Sequence, residues 1–98
     1  MACISSVNWS EVLQKAAQKD LDAALTAHGL ERMGLTVVAF NQGDAEAAAA
    51  MWSATKNQGL SLGHRACLAL AQRLSLPAIT AEQAWKAVAV GVSVELIR

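Results

Sequence analysis

The feature that most constrains the fold is the short apolar run at residues 35–40, LTVVAF. It is rich in β-branched residues and is too short for a stable helix, so it predicts a strand. Polar residues do not alternate with apolar ones along it, which predicts a strand buried on both faces, as in a parallel sheet. Helical patterns flank the run on both sides, and helices that separate strands predict an α/β fold.

Helix signals occur both before and after this run. Asn8 followed by Glu11 has capping-box spacing and predicts that a helix begins at Asn8. Asp22 predicts the start of a second helix, which ends near Gly34 because glycine favours helix ends. Asp44 is in position to cap a third helix.

The second half of the chain predicts further helices and two short strands. A helix is expected from Gly63 to about Ser75, where Pro77 prevents its continuation. Residues 78–80 are then expected to form a very short strand, and residues 82–88 one or two helical turns. Residues 92–97 alternate in polarity and predict a last strand near a sheet edge.

Composition restricts the class of protein. Of the 98 residues, 54% are hydrophobic, and eight basic side chains balance eight acidic ones, so disorder and a broad nucleic-acid-binding field are excluded. The longest apolar run, residues 47–52, is too short to span a bilayer, and the sequence does not open on a basic n-region followed by an apolar h-region. Two cysteines make neither a disulfide framework nor a zinc motif, which favours a reducing cytoplasm. We expect one domain over residues 1–98.

Residues 60–85, LSLGHRACLALAQRLSLPAITAEQAW, carry the most specific pattern. They resemble the C-terminal half of PIN domains of the VapC toxin type, which read G-D-R-x-C-L-A-L-A, then a short strand ending in T-A-D, then a tryptophan or similar residue. ISSVNWSEVLQKA resembles the family's helix with an N-x-x-E core, LTVVAFNQGDAEAAAAMW its second strand and following helix, and VSVELIR its last strand. The resemblance covers nearly the whole chain, from about Ile4 to Arg98.

This resemblance implies a PIN-like three-layer sandwich with a short, mainly parallel sheet, and a metal-dependent ribonuclease activity. Such enzymes cluster carboxylates beyond the carboxyl ends of the strands, because Mg²⁺ and Mn²⁺ take oxygen ligands and activate water there. Four acidic positions recur in the family. Three of them fall on Glu11, His64 and Glu82 in this sequence, and the fourth belongs to a first strand that we do not find in it.

The departures from the family's acidic pattern weigh against catalysis. Glu82 replaces an aspartate with a longer carboxylate, and His64 replaces another with an imidazole. Imidazole suits Zn, Fe, Ni or Mn better than Mg. We therefore expect no cofactor, with Mg²⁺ or Mn²⁺ as the metal if the chain is active.

Each candidate site residue also has an ordinary structural interpretation. Glu11 is placed to cap its own helix or to pair with Lys15 four residues later. His64 is at a helix start, where exposed polar residues are common. Glu82 is in a first helical turn, where the helix dipole favours a carboxylate.

Other residues favour structural roles more strongly. Arg65 is a single possible phosphate contact and makes no basic patch with its neighbours. Trp9, Trp52 and Trp85 are expected to anchor a core or an interface rather than stack bases. Cys67 is expected to be a small buried residue.

The expected absence of the family's first strand bears on assembly. That strand lies at the centre of the PIN sheet, and without it neighbouring strands would leave backbone groups unpaired at a few kcal/mol each. A domain of this size has a total stability of only about 5–15 kcal/mol, so we expect the gap in this truncated PIN-like domain to be filled. A rearranged strand order, a second copy that exchanges elements, or a partner chain would fill it.

Two functions follow from these expectations. The first is a degenerate PIN-like protein, catalytically inactive, that forms oligomers and acts by binding an antitoxin-like chain or a related full-length toxin. The alternative is a metal-dependent endoribonuclease of a toxin–antitoxin system, whose site is completed across an interface and whose substrate is RNA. Glu11 and Glu82 are the candidate catalytic residues, and Glu11, His64 and Glu82 the candidate metal ligands.

Overall fold

The computed structural model describes residues 2–89 and shows a mainly helical α/β fold. Its elements, in chain order, are β1 (Ala2–Ser5), α1 (Ser6–Gln18), α2 (Ala23–Arg32), β2 (Leu35–Val38), α3 (Gln42–Thr55), a 3₁₀ turn (Lys56–Gln58), α4 (Leu62–Leu74) and α5 (Ala81–Ala89). The expectation of an α/β fold with a parallel sheet is confirmed, since β1 and β2 pair in parallel.

The middle of the described sheet is occupied by β1, so the gap expected in the sheet is filled within the chain itself. The unpredicted strand β1 pairs with β2 along its length, with Ala2 opposite Leu35 and Ser5 opposite Val38. On its other side, Cys3 forms a parallel bridge with Ala78, and the Ile79 N–H donates to the Cys3 carbonyl at 2.9 Å. Strand β1 is thus paired along its length with β2 and at one position on its other side, which reduces the number of unpaired backbone groups that an open centre would leave.

Helices cover β1 on both of its faces. All four residues of β1 are buried, although successive side chains of a strand point to opposite faces. Ala2 and Ile4 belong to a core cluster with residues of α1, α2, β2, α5 and the segment just before α5: Val12, Leu30, Leu35, Ile79, Ala84 and Ala87. Helix α4 contacts β1 as well, and it buries its own small residues Ala66, Cys67 and Ala69. The sheet is therefore the middle of three layers.

The strand predictions are only partly right in detail. Leu35 of β2 is buried, but Thr36 is exposed, so β1 rather than β2 is the strand covered on both faces. Residues 78–80 contribute a single bridge at Ala78 instead of a strand. The predicted strand at residues 92–97 lies outside the described residues.

Side-chain caps define where most helices begin. Asp22 caps α2, as predicted, by accepting from the Leu25 N–H at 3.1 Å. Helix α1, however, begins after the cap Ser5 and not at Asn8. Within residues 2–89 no helix is both long enough and apolar enough to cross a membrane.

Candidate functional site

A cavity of about 180 Å³ opens where the carboxyl end of the sheet meets the starts of three helices. Helix α1 follows β1 directly, and α5 begins soon after the bridge at Ala78, so the sheet itself places these helix starts together. Helix α4 supplies the third wall. The cavity is lined by residues of these three segments: Asn8, Glu11, Ser61, Gly63, His64, Thr80, Ala81 and Glu82.

The three site residues predicted from the sequence all line this cavity. Glu11 comes from α1, His64 from α4 and Glu82 from α5, although more than fifty residues separate the first from the second. All three are exposed, as groups that meet a ligand must be. The structure thus brings together side chains that only the family resemblance connects in the sequence.

The Glu11 carboxylate is held in place by two neighbours. The buried Asn8 amide donates from Nδ2 to Glu11 Oε1 at 3.0 Å and to the Gly63 carbonyl at 2.9 Å. A Cβ built on Gly63 would lie 2.6 Å from Glu11 Oε2 and 2.7 Å from Oε1, so the carboxylate lies where a larger residue would place its side chain. The Glu11 carboxylate therefore lies against the start of α4, where it lines the cavity, and it does not cap its own helix.

His64 is positioned by the cap of α4. Ser61 caps this helix, with its Oγ accepting from the His64 N–H at 3.2 Å, and the same Oγ lies 2.8 Å from His64 Nδ1. This contact fixes the ring by Nδ1 and leaves Nε2 as the nitrogen available to a ligand. The imidazole stands where the family resemblance places an aspartate.

Glu82 lies in the first turn of α5 and takes no part in that helix's cap. Thr80 and Gln83 form the cap reciprocally: the Gln83 N–H donates to Thr80 Oγ1 at 3.1 Å, and the Thr80 N–H donates to Gln83 Oε1 at 2.8 Å. A second cavity of about 200 Å³ adjoins the first, sharing Glu11, Ala81 and Glu82 with it. The two carboxylates thus stand between the His64 side and the Trp85 side of one groove.

Lys15, the alternative partner of Glu11, is engaged elsewhere. Its Nζ lies 5.2 Å from the centre of the Trp85 ring, a cation–π geometry. Among the described residues the ion pair that the structure contains joins Asp44 and Arg73, away from the cavity. The i,i+4 pairing weighed for Glu11 is therefore not formed.

Asn8 and Gly63 are the site residues that sequence reasoning missed. Asn8 was expected to cap α1, yet it lies inside the helix and is only 2% exposed. The N-x-x-E core of the family resemblance contained the signal, since it links Asn8 to Glu11 at a spacing that also places them on one helix face. Nothing in the sequence alone indicated the contact of Gly63 with Glu11.

The cavity's donors fit a magnesium ion poorly. Two carboxylates and an imidazole line it, whereas Mg²⁺ prefers oxygen ligands in near-octahedral geometry. Within residues 2–89 no three His, Cys, Asp or Glu side chains lie close enough to hold one metal ion together.

The remaining candidate residues have structural roles. Arg65 donates from Nη1 to the Ala48 carbonyl at 2.8 Å and so ties α4 to α3. Trp9 packs against the core, as one of the two roles expected for it. Trp52 is 53% exposed and therefore does not anchor the core. Cys67 is buried as predicted, and burial, with a further contribution from Cys3, raises the pKa of its thiol.

Comparison with known proteins decides the family. The family model described as PIN domain matches residues 1–91. The chain belongs to the PIN domain family. No curated protein and no solved structure matches the chain. The cavity of this PIN domain, at the carboxyl end of its parallel sheet, lies where the fold expected from the resemblance places its acidic site.

Proposed function

We propose that this PIN domain does not cleave RNA as a single chain and that it acts by binding another protein chain at the Glu11–Glu82 cavity. The observation that carries the proposal is the lining of the cavity, which brings together two carboxylates and one imidazole. A metal-dependent nuclease needs a denser set of oxygen ligands to hold its ion and activate water.

The charges in the cavity suit a basic side chain of a partner. Glu11 and Glu82 line the same cavity, and the ion pair found in the described part of the chain lies elsewhere, at Asp44 and Arg73. A guanidinium or ammonium group placed between two carboxylates gains charge-assisted hydrogen bonds, which are about twice as strong as neutral ones. An arginine or lysine of a partner chain is therefore the group that we expect there.

The surroundings of the cavity favour protein over RNA. Leu62, 51% exposed, lies in the chain between the lining residues Ser61 and Gly63, and Trp85 lines the adjoining cavity. Apolar side chains beside a charged pocket are typical of protein interfaces, where aromatic residues are enriched. RNA, by contrast, would bring its phosphates towards two carboxylates.

The partner is a second copy of this chain or an antitoxin-like protein, and we place both in the cytoplasm, where the free thiols of Cys3 and Cys67 persist. We expect the purified chain to be oligomeric. Since β1 fills the centre of the described sheet, this expectation now rests on the exposed apolar side chains, such as Leu62 and Trp52. Light scattering after size exclusion measures this directly, and a monodisperse species of 10.3 kDa would leave only the second partner.

The proposal is tested by an RNase assay paired with a binding titration. With Mg²⁺ or Mn²⁺ and with structured or single-stranded RNA, we expect no cleavage above background. Agmatine, which carries a guanidinium group and no carboxylate, should shift the amide resonances of Gly63 and Glu82 in NMR spectra. Glu82→Gln should weaken that binding, while Glu46→Gln on α3, whose carboxylate accepts from Gln42, serves as the control.

The alternative function, a metal-dependent endoribonuclease completed across an interface, is favoured by one observation. Glu11 is held towards the cavity by Asn8 instead of being left mobile on the surface. Metal-dependent cleavage by the wild-type chain that disappears in Glu11→Gln would overturn our proposal and support this alternative. Glu11→Gln is suited to the test because the amide keeps the size of the carboxylate and loses its charge.

A further inference from the structure

We propose that Asn8 is a positioning residue that sets the Glu11 carboxylate in the cavity, and that Gly63 provides the place where the carboxylate lies. This proposal deepens the proposed function. It rests on that function for one point only, which is that the ligand of the cavity is a cation. The positioning itself is a property of the free protein and can be measured without a ligand.

The orientation of the Asn8 amide follows from its neighbours. Both atoms near Nδ2 are acceptors: Glu11 Oε1 at 3.0 Å and the Gly63 carbonyl at 2.9 Å. Only the NH₂ end of the amide donates, so this end must face them. One side chain thereby connects the carboxylate on α1 to the backbone at the start of α4.

Gly63 completes the arrangement because it has no side chain. A Cβ at this position would lie 2.6–2.9 Å from three atoms of the Glu11 carboxylate, closer than real Cβ contacts allow. The backbone of Gly63 does not have a positive φ, so conformational freedom is not the reason for glycine here. The space that it leaves open is the space that Glu11 occupies.

A competing position for the Glu11 carboxylate is available on α1 itself. Lys15 lies one turn further along the helix, at the i,i+4 spacing that favours a glutamate–lysine pair. In the structure Lys15 instead covers Trp85. The hydrogen bond from Asn8 therefore selects the cavity position over the surface position.

Stability alone does not explain Asn8. The residue is 2% exposed, and its Oδ1 is buried without a hydrogen-bond partner among the described residues. A buried acceptor without a partner is unfavourable, and it offsets part of the stability that the two hydrogen bonds from Nδ2 contribute. The hydrogen bonds that Asn8 does make both lie at its NH₂ end, and we attribute this arrangement to the orientation that it gives the Glu11 carboxylate.

The first test measures the position of Glu11 directly. In the wild-type protein, nuclear Overhauser contacts between the Glu11 Hγ protons and the Gly63 Hα protons should be strong. Asn8→Leu, which keeps the size of the side chain, and Asn8→Asp, which keeps its shape but removes the donors, should both lose these contacts. Asn57→Leu, at an exposed asparagine in the 3₁₀ turn, is the matched control and should keep them.

The second test separates positioning from structural support. Asn8→Leu leaves the Gly63 carbonyl without its donor and should lower the melting temperature. It should also weaken agmatine binding to the folded protein about tenfold, the loss expected for one hydrogen bond to a charged group. A purely structural Asn8 would lower the melting temperature in the same way but leave the affinity of the folded protein unchanged.

The outcomes are distinguishable from failure of the proposed function. If wild-type protein does not bind agmatine, the proposed function is wrong, and the Overhauser contacts still decide the role of Asn8. Absence of Glu11–Gly63 contacts in the wild type, which requires no variant to fold, would overturn the positioning proposal. So would their persistence in both Asn8 variants.

Discussion

Two asparagine–acid pairs with the same spacing have opposite environments in this protein. Asn8 precedes Glu11 by three residues, and Asn41 precedes Asp44 by three. In the first pair the asparagine is buried and the acid is exposed, whereas in the second the acid is 2% exposed and the asparagine is exposed. The same local pattern thus produces a cavity group in one case and a structural group in the other.

The second pair forms a capping box, and an arginine side chain donates hydrogen bonds to its acid. Asn41 Oδ1 accepts from the Asp44 N–H at 2.8 Å, and Asp44 Oδ2 accepts from the Asn41 N–H at 3.2 Å. Arg73 then donates from Nε and Nη2 to the two carboxylate oxygens at 2.8 and 3.0 Å. Every strong acceptor of Asp44 is used inside the protein, so this acid joins α3 to α4.

The position of the helix start accounts for the difference. Helix α3 begins directly after Asn41, which makes Asn41 the cap and Asp44 the third residue of the helix. Helix α1 begins after Ser5, so Asn8 itself is the third residue and Glu11 lies a turn further on. A shift of three residues in the helix start turns a capping box into an asparagine that holds a carboxylate over another helix.

The largest expected effect is on stability, and it should separate the two acids. Asp44→Ala removes the cap contact and the paired hydrogen bonds from Arg73, so we expect it to lower the free energy of unfolding by about 2 kcal/mol. Glu11→Ala removes one acceptor of the Asn8 amide at an otherwise exposed position and should lower it by less, under about 1 kcal/mol. Urea unfolding of both variants measures the difference, and equal losses would contradict the distinction between a structural and a cavity acid.

A smaller effect should appear in acid. The hydrogen bond from the Arg73 side chain, helped by that of the Asn41 backbone and by the charge of Arg73, holds the pKa of Asp44 below its ordinary value despite burial. The stability from this pair is therefore present above the unfolded pKa of about 3.9 and is lost as the pH falls through the lower folded pKa. Urea unfolding below about pH 4 should show a weaker loss of stability in Asp44→Asn than in the wild type. Parallel curves for the two proteins would show that Asp44 does not contribute to acid unfolding.

Much of this fold could be predicted because its signals are local. The apolar run that contains β2, the cap Asp22 and the helix from Gly63 are read from neighbouring residues, and each was found within a few positions of its expected place. Strand β1 could not be recognised because its four residues, ACIS, are too few to show alternation. Its burial depends on α4 and α5, which come much later in the chain.

The site shows the same division between local and distant signals. The family resemblance identified Glu11, His64 and Glu82, and all three line the cavity. The contacts that orient Glu11 join α1 to Gly63, 55 residues after Asn8. Spacing along one helix cannot reveal such a contact, so Asn8 was interpreted as a cap.

The smallest effect on stability gives the sharpest comparison within the site, between two glycines in helices. Alanine in place of glycine stabilises a helix interior by roughly 0.5–1 kcal/mol. Gly29 in α2 has no atom within 4 Å of a built Cβ, so Gly29→Ala should gain that stability and leave agmatine binding unchanged. At Gly63 the new Cβ would meet the end of the flexible Glu11 side chain, which can move away.

We therefore expect Gly63→Ala to change stability less favourably than Gly29→Ala, by under about 1 kcal/mol, and to weaken agmatine binding several-fold. Thermal unfolding and NMR titration of the two variants measure both quantities side by side. If Gly63→Ala binds agmatine as tightly as the wild type does, the Glu11 carboxylate does not need to lie against Gly63 in order to bind a cation. The difference between Glu11 and Asp44 would then be only that Asp44 is buried and Glu11 is exposed. The contact of Glu11 with Gly63 on α4 would have no effect on cation binding.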